Sequence, residues 1–256
     1  MPLASTNSVG FGARRRALEN GISVGVVQTE GLSTGLTTYT FDNAAAKFDL
    51  PAPTFEAFNR SLLIAVAGTG SASRTVSSVS VTATGLSPQS ATELITANAS
   101  ASVFACGFYL VPQLEIVPET PTFTIDATFS GAMLGAGMAA WHIFDYDPAG
   151  TPATGLITSG DPMVIRTVPS AGRYTFMMAG QSATTVADIL WGSGGVYASD
   201  GNDIAYTSRM FSTLARNNWS GVYTGAALGA DFSSAPTNPR GMYVDLSMIP
   251  LTPHAQ

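Results

Sequence analysis

Thr122-Phe123-Thr124-Ile125-Asp126-Ala127-Thr128-Phe129 is the stretch that decides the fold class. Successive side chains of an extended chain point to opposite faces, so Phe123, Ile125, Ala127 and Phe129 share one face. Thr122, Thr124, Asp126 and Thr128 share the other. A strand with one apolar and one wet face belongs to an antiparallel sheet that covers a core. Val76-Ser77-Ser78-Val79-Ser80-Val81-Thr82-Ala83 alternates in the same way. Leu62-Leu63-Ile64-Ala65-Val66-Ala67 does not alternate at all; an unbroken apolar run of this length fits a strand buried on both faces.

Outward from these three stretches, short runs rich in Val, Ile, Thr, Phe and Tyr recur between clusters of Gly, Pro, Asn and Ser. The pattern predicts strands over Ile22–Gln28, Thr37–Phe41, Ala46–Leu50, Ser61–Ala67, Val76–Thr84, Glu93–Ala97, Ser102–Val111, Thr122–Phe129 and Gly137–Asp145. Further strands are expected over Met163–Val168, Arg173–Ala179, Thr185–Leu190, Gly195–Ala198, Ile204–Thr207, Gly221–Thr224 and Met242–Ile249. One helix is expected, Ser208–Asn217, with Met210, Phe211 and Leu214 on one side. Strands do not alternate with helices, which excludes a parallel doubly wound sheet. No period of 20–50 residues repeats, which excludes a propeller or solenoid. The expected fold is all-β: an antiparallel, jelly-roll-like β-sandwich over residues 21–152, continued as the same sandwich or as a second β lobe over 153–256.

Residues 1–20 read as a non-regular arm. Small residues without periodicity lead into Phe11 and the triplet Arg14-Arg15-Arg16. Alone, such a segment buries too little to fold. As an anchor that orders on a partner, Phe11 supplies a knob and Arg14, Arg15 and Arg16 an electrostatic clamp.

Of 256 residues only 11% are charged, against roughly 25% in ordinary soluble domains. The net charge is −6, the pI about 4.7 and the mean hydropathy +0.23. An acidic chain lacks the basic face that phosphate backbones require, which argues against a nucleic-acid partner. No apolar run approaches the roughly 20 residues of a membrane helix, and the N-terminus does not read as a signal peptide. One lysine, Lys47, stands beside ten arginines. A surface so poor in charge suits close contact with neighbouring subunits, whose interface cores are depleted in Lys, Glu and Asp.

The residues that chemistry would require are scarce. Cys106 is the sole cysteine and sits in the apolar run Val103-Phe104-Ala105-Cys106-Gly107-Phe108, so it reads as a small buried hydrophobe, with no disulfide framework. His142 shares a strand face with Phe144 and Tyr146, while Asp145 and Asp147 fall on the other, which disfavours a His–Asp relay within the strand. Trp191-Gly192-Ser193-Gly194-Gly195 only approximates a nucleophile elbow and reads as a turn. Asp200-Gly201-Asn202-Asp203 has oxygen ligands at close spacing but lacks the distal Glu of a calcium loop, and reads as a β-turn. No motif calls for a metal or other cofactor. Aromatic residues concentrate in the C-terminal third among Gly, Ser and Asn. Trp191, Tyr197, Trp219 and Tyr223 are the candidate glycan-binding set, with Tyr206 nearby, because aromatic faces beside amides and hydroxyls suit sugar rings.

The stretch Phe58 to Pro152 resembles a domain found in proteins of tailed bacteriophages and phage-derived particles. The resemblance runs through Arg60-Ser61-Leu62-Leu63-Ile64-Ala65-Val66, Ser78-Val79-Ser80-Val81, the aromatic strand Phe108-Tyr109-Leu110-Val111-Pro112, the Phe129-Ser130-Gly131 ending, and Asp145-Tyr146-Asp147-Pro148. It implies a virion structural protein of the tail-fibre, spike or head-decoration type. That implies residence in the virion, other virion proteins as partners, and a homo-oligomer, for which the family suggests a trimer. The leading expectation is therefore a non-enzymatic building block docked through its arm. A carbohydrate-binding receptor module that holds a host-surface glycan is the alternative, and a glycan-degrading enzyme the third reading.

Overall fold

The computed structural model describes residues 22–25, 35–41, 61–98, 104–114, 123–143, 146–166, 173–182, 188–193, 196–200, 202–206, 209–217 and 227–247. Among them the chain forms β1 (Ile22–Gly25), β2 (Leu36–Phe41), β3 (Ser61–Gly70), β4 (Val76–Ala83), β5 (Gln89–Ser90), β6 (Thr92–Asn98), β7 (Phe104–Val111) and β8 (Phe123–Ile143). There follow β9 (Ala153–Ile157), β10 (Met163–Arg166), β11 (Arg173–Gly180), β12 (Ile189–Ser193), β13 (Val196–Asp200), β14 (Asn202–Tyr206), β15 (Arg209–Asn217), β16 (Leu228–Phe232) and β17 (Arg240–Ser247). The chain is all-β and antiparallel, a fold of the sandwich and jelly-roll type, as its patterning leads one to expect.

The first sheet is organised by β8, whose 21 residues serve two half-sheets. Its leading half, Phe123–Phe129, lies between β4 and β2. Its trailing half, Met133–Ile143, lies between β3 and β1. The sequence suggests two strands here, broken by Ser130-Gly131 and Gly135. Instead those small residues let one strand turn from one half-sheet into the other without stopping, the role glycine has at a sheet corner. At the corner the guanidinium of Arg74 lies over Gly131, where a Cβ would come within 2.6 Å of Cζ. Thr75 and Ser130 brace the same place: the Ser130 N–H donates to the Thr75 carbonyl and the Thr75 N–H to Ser130 Oγ.

Folding at this corner closes the first sheet, ordered β5-β4-β8-β3-β7-β6, over its own core. Phe41, Val79, Val81 and Ile125 from one half meet Leu62, Ile64, Val66 and Met138 from the other. Two tyrosines tie the halves with their hydroxyls: Tyr109 on β7 donates to the Val76 carbonyl at 3.3 Å, and Tyr39 on β2 to the Met133 carbonyl at 2.8 Å. The tight turn after β4 needs Gly85, whose φ of +80° is unfavourable for other residues, and it is closed by the Leu86 N–H on the Ala83 carbonyl.

The alternate residues of the trailing half-sheet build a second core. Leu63, Ala65 and Ala67 of β3, with Phe108 of β7 and Trp141 of β8, pack on Phe176, Met242 and Val244 of the second sheet, ordered β14-β15-β11-β17-β9. Trp141 and Phe176 stand 5.2 Å apart. All ten residues of β3 are buried, because this strand is sandwiched between two cores, as its unbroken apolar run requires. The opposite face of the second sheet makes a third core. Met177, Ala179 and Met210 there meet Ile165, Ile189, Trp191 and Phe232 of the third sheet, ordered β10-β16-β12-β13. The molecule is thus four β layers with three apolar cores between them.

The helix expected over Ser208–Asn217 is not formed; Arg209–Asn217 is strand β15, paired with β11 and β14. Met210, Phe211 and Leu214 fit a helical face by spacing, but this strand is apolar on both sides. Phe211 enters the second core and Met210 the third. Burial on two faces erases the alternation that would mark a strand. Three strands lie where the pattern predicts no element, β5, β9 and β16. The expected strands Ala46–Leu50 and Gly221–Thr224 lie outside the described residues. No helix among the described residues is long and apolar enough to cross a membrane.

Candidate functional site

Of the aromatic set proposed for glycan binding, Trp191 is the member whose side chain lies among the described residues. Trp191 is wholly buried in the third core. Its indole N–H donates to Ser212 Oγ at 2.8 Å, across from β12 to β15. A ring enclosed in this way has no face for a sugar, so Trp191 is a core anchor rather than a glycan platform. Its Gly and Ser neighbours suggest a turn, whereas Gly192 and Ser193 continue β12. Tyr197 lies on β13, its backbone paired with Gly192. Trp219 and Tyr223 lie outside the described residues, as do the anchor candidates Phe11, Arg14, Arg15 and Arg16.

Among the polar residues weighed for chemistry, Asp147 and Cys106 have side chains that serve the scaffold. Asp147 opens the turn that leaves the first sheet: its Oδ1 accepts the Ala149 N–H at 3.0 Å, its carbonyl the Gly150 N–H, and its own N–H donates to Ser247 O. Such an Asx turn uses the carboxylate locally. His142 sits on β8 with its backbone between Leu62 and Ser23. Asp200 and Asn202 do not flank a hairpin turn; they end β13 and begin β14, which belong to different sheets. The two strands therefore take the chain from the third sheet to the second. Cys106 is buried against Met242, Sγ to Sδ 3.9 Å. Burial pushes its thiol up to about 12, with the positive charge of Arg240 pulling modestly the other way, which keeps it protonated and unreactive. Burial likewise pushes Tyr109 well above the ordinary phenol range, aided by the Glu93 charge and by Cys106.

One ion pair was not legible in the sequence. Arg166 on β10 donates from Nε and Nη2 to Asp245 Oδ2 at 3.0 and 2.7 Å, and Thr175 Oγ1 donates to Asp245 Oδ1 at 2.7 Å. Asp245 is fully buried and Arg166 is 17% exposed. The guanidinium also lies 4.7 Å from the Tyr243 ring centroid. Arg166 and Asp245 are 79 residues apart, and the pair clips the third sheet to the second. Both carboxylate oxygens are engaged, Oδ2 by Arg166 and Oδ1 by Thr175, so the cluster is an internal tie. Among the described residues no three of His, Cys, Asp and Glu converge as a metal would need.

What reaches the surface is sheet face and edge. Leu36 on β2, Leu156 on β9 and Val164 on β10 are 41%, 43% and 48% exposed. The outward face of the leading half-sheet is a field of hydroxyls. Thr38, Thr128 and Ser78 form one row across β2, β8 and β4. Thr40, Asp126, Ser80 and Ser90 form the next, reaching β5. Thr38 and Thr128 share a hydrogen bond of 3.0 Å between their hydroxyls, and Thr40 Oγ1 donates to Asp126 Oδ1 at 2.6 Å.

No family model matches this chain, and no curated protein matches it in sequence. Among solved structures it is similar to the STIV MCP, a viral major capsid protein, at 9% identity and a TM-score of 0.27 over 89% of this chain and 96% of that one. It is also similar to the partial N-terminal region of an enterococcal surface protein, at 9% identity and a TM-score of 0.20 over 89% and 82%. Neither likeness carries an argument about function.

Proposed function

We propose that this chain is a non-enzymatic structural subunit of a virus particle, of the head-decoration, spike or tail-fibre kind, held to its neighbours through residues 1–20 and assembled as a homo-oligomer. The observation that carries this reading is where the phage-like motifs of Phe58–Pro152 fall. Leu62-Leu63-Ile64-Ala65-Val66 is the doubly buried β3, Phe129-Ser130-Gly131 is the corner of β8, and Asp147-Pro148 is the exit turn. In these three stretches the described residues pack a core or turn the chain, which supports reading the resemblance as one of scaffold. The low surface charge and the exposed edge residues Leu36, Leu156 and Val164 support association with neighbours. Attachment through a short arm is weak per copy, and an oligomer strengthens it by avidity.

Removal of residues 1–20 tests the proposal. The truncated chain keeps its far-ultraviolet circular dichroism and melting curve but no longer co-sediments with particles that lack the native copy. Truncated protein that still decorates such particles at full occupancy overturns the arm as the anchor. Full-length protein that never binds them overturns the particle role.

A further inference from the structure

The outward face of the leading half-sheet combines two properties seldom found together on a solvated sheet. It is regular, and it is almost without charge: across both hydroxyl rows the only ionisable group is Asp126. Surface sheets ordinarily carry Lys and Glu for solubility and to block edge contact. Here the positions are Thr and Ser, with Thr38, Thr40, Ser78 and Ser90 exposed. Short side chains lose little rotamer freedom on contact, and the bonds Thr38–Thr128 and Thr40–Asp126 already fix several of them.

We propose that this face is a docking platform for a neutral, hydroxyl-rich polysaccharide lying across the strands. Neighbouring strands stand about 4.8 Å apart, which is close to the advance of one pyranose ring along an extended glycan. A chain laid along the row Thr40–Asp126–Ser80–Ser90 therefore meets one side chain per sugar over about 14 Å, three strand spacings. Hydroxyls both donate and accept, and a carboxylate accepts only, so the row offers each sugar hydroxyl a complementary partner. Charge selects the class of ligand. Asp126 and a net charge of −6 repel anionic polymers. A protein partner fits less well, because Ser and Asp are depleted at protein interfaces and this face has little apolar area to bury. The platform is independent of the particle role.

Affinity electrophoresis of the full chain in gels containing dextran, hydroxyethyl cellulose or soluble starch tests it, with alginate as the anionic control. At least one neutral polymer retards the protein and alginate does not. Thr40→Val with Ser80→Ala, which keeps side-chain volume, lowers the apparent affinity at least ten-fold. Asp126→Asn, an independent variant should the first fail to fold, lowers it several-fold. Circular dichroism confirms that each variant is folded. The proposal is overturned if no neutral polymer retards the protein, if retardation survives both variants, or if alginate retards it equally. It is also overturned if Thr40→Val with Ser80→Ala splits an oligomer on light scattering, because the face is then a contact between copies.

Discussion

Replacing Asp245 with alanine removes a buried carboxylate that ties the third sheet to the second. Two charged hydrogen bonds from Arg166 vanish, each worth about 1.5–3 kcal/mol, and the Thr175 hydroxyl loses its acceptor at about 1–3 kcal/mol. The loss is not the full sum. Arg166 is 17% exposed, so part of its charge regains water, and its contact with Tyr243 persists. Removing one member of a buried pair costs about 3–5 kcal/mol, and partial exposure places this site at about 3 kcal/mol. For a chain of this size that lowers the melting temperature by about 6–12 °C. Equilibrium urea unfolding followed by circular dichroism measures it. The double variant Arg166→Met, Asp245→Leu removes both charges and recovers more than half of the loss, since the single variant's penalty is mostly an uncompensated guanidinium. A cost below about 1 kcal/mol for Asp245→Ala, or a double variant no more stable than the single, refutes the reasoning.

Trp191→Phe removes the indole donor to Ser212 and leaves a small cavity in the third core; it destabilises by about 2–3 kcal/mol on urea titration while polysaccharide retention stays unchanged. Cys106 resists iodoacetamide at pH 8 in the folded protein and reacts fully in urea; stability drawn from its neutral thiol is complete below pH 9 and is lost as pH rises through about 12. Asp231 is raised by desolvation and by its hydrogen-bonded neighbour Asp161. Its raised folded value means stability is lost as pH climbs through the carboxylate range, so Asp231→Asn melts higher than the parent at pH 7 and the difference fades on acidification. A difference that grows toward acid pH contradicts that assignment.

The parts of the fold legible in the sequence are those in which one residue faces one environment. Phe123–Phe129 alternates because its two faces see core and water. Leu62–Ala67 is unbroken because both of its faces see core, and the structure places it between the first and second cores. Legibility fails where the same logic becomes ambiguous. Strand β15 is apolar on both sides and mimics a helix face. Strand β8 is interrupted by glycines that usually end strands, yet here they turn a corner beneath Arg74. Strands β9 and β16 are only five residues each, among Gly and Thr. The candidate site suffered from a related limit. Local sequence shows that Trp191 has small neighbours, but whether its ring meets water depends on Ser212 and Phe232, which only the stacking of layers brings to it. The Arg166–Asp245 pair carries no local signal at all, because its members are joined only by that stacking.

On the proposed reading, this charge-poor stack of β layers is a subunit that assembles with copies of itself. Multi-angle light scattering on the purified full-length chain tests it most directly. The account predicts a single species whose mass is a fixed integer multiple of 26.4 kDa and holds on dilution. A mass of 26.4 kDa at every concentration contradicts it.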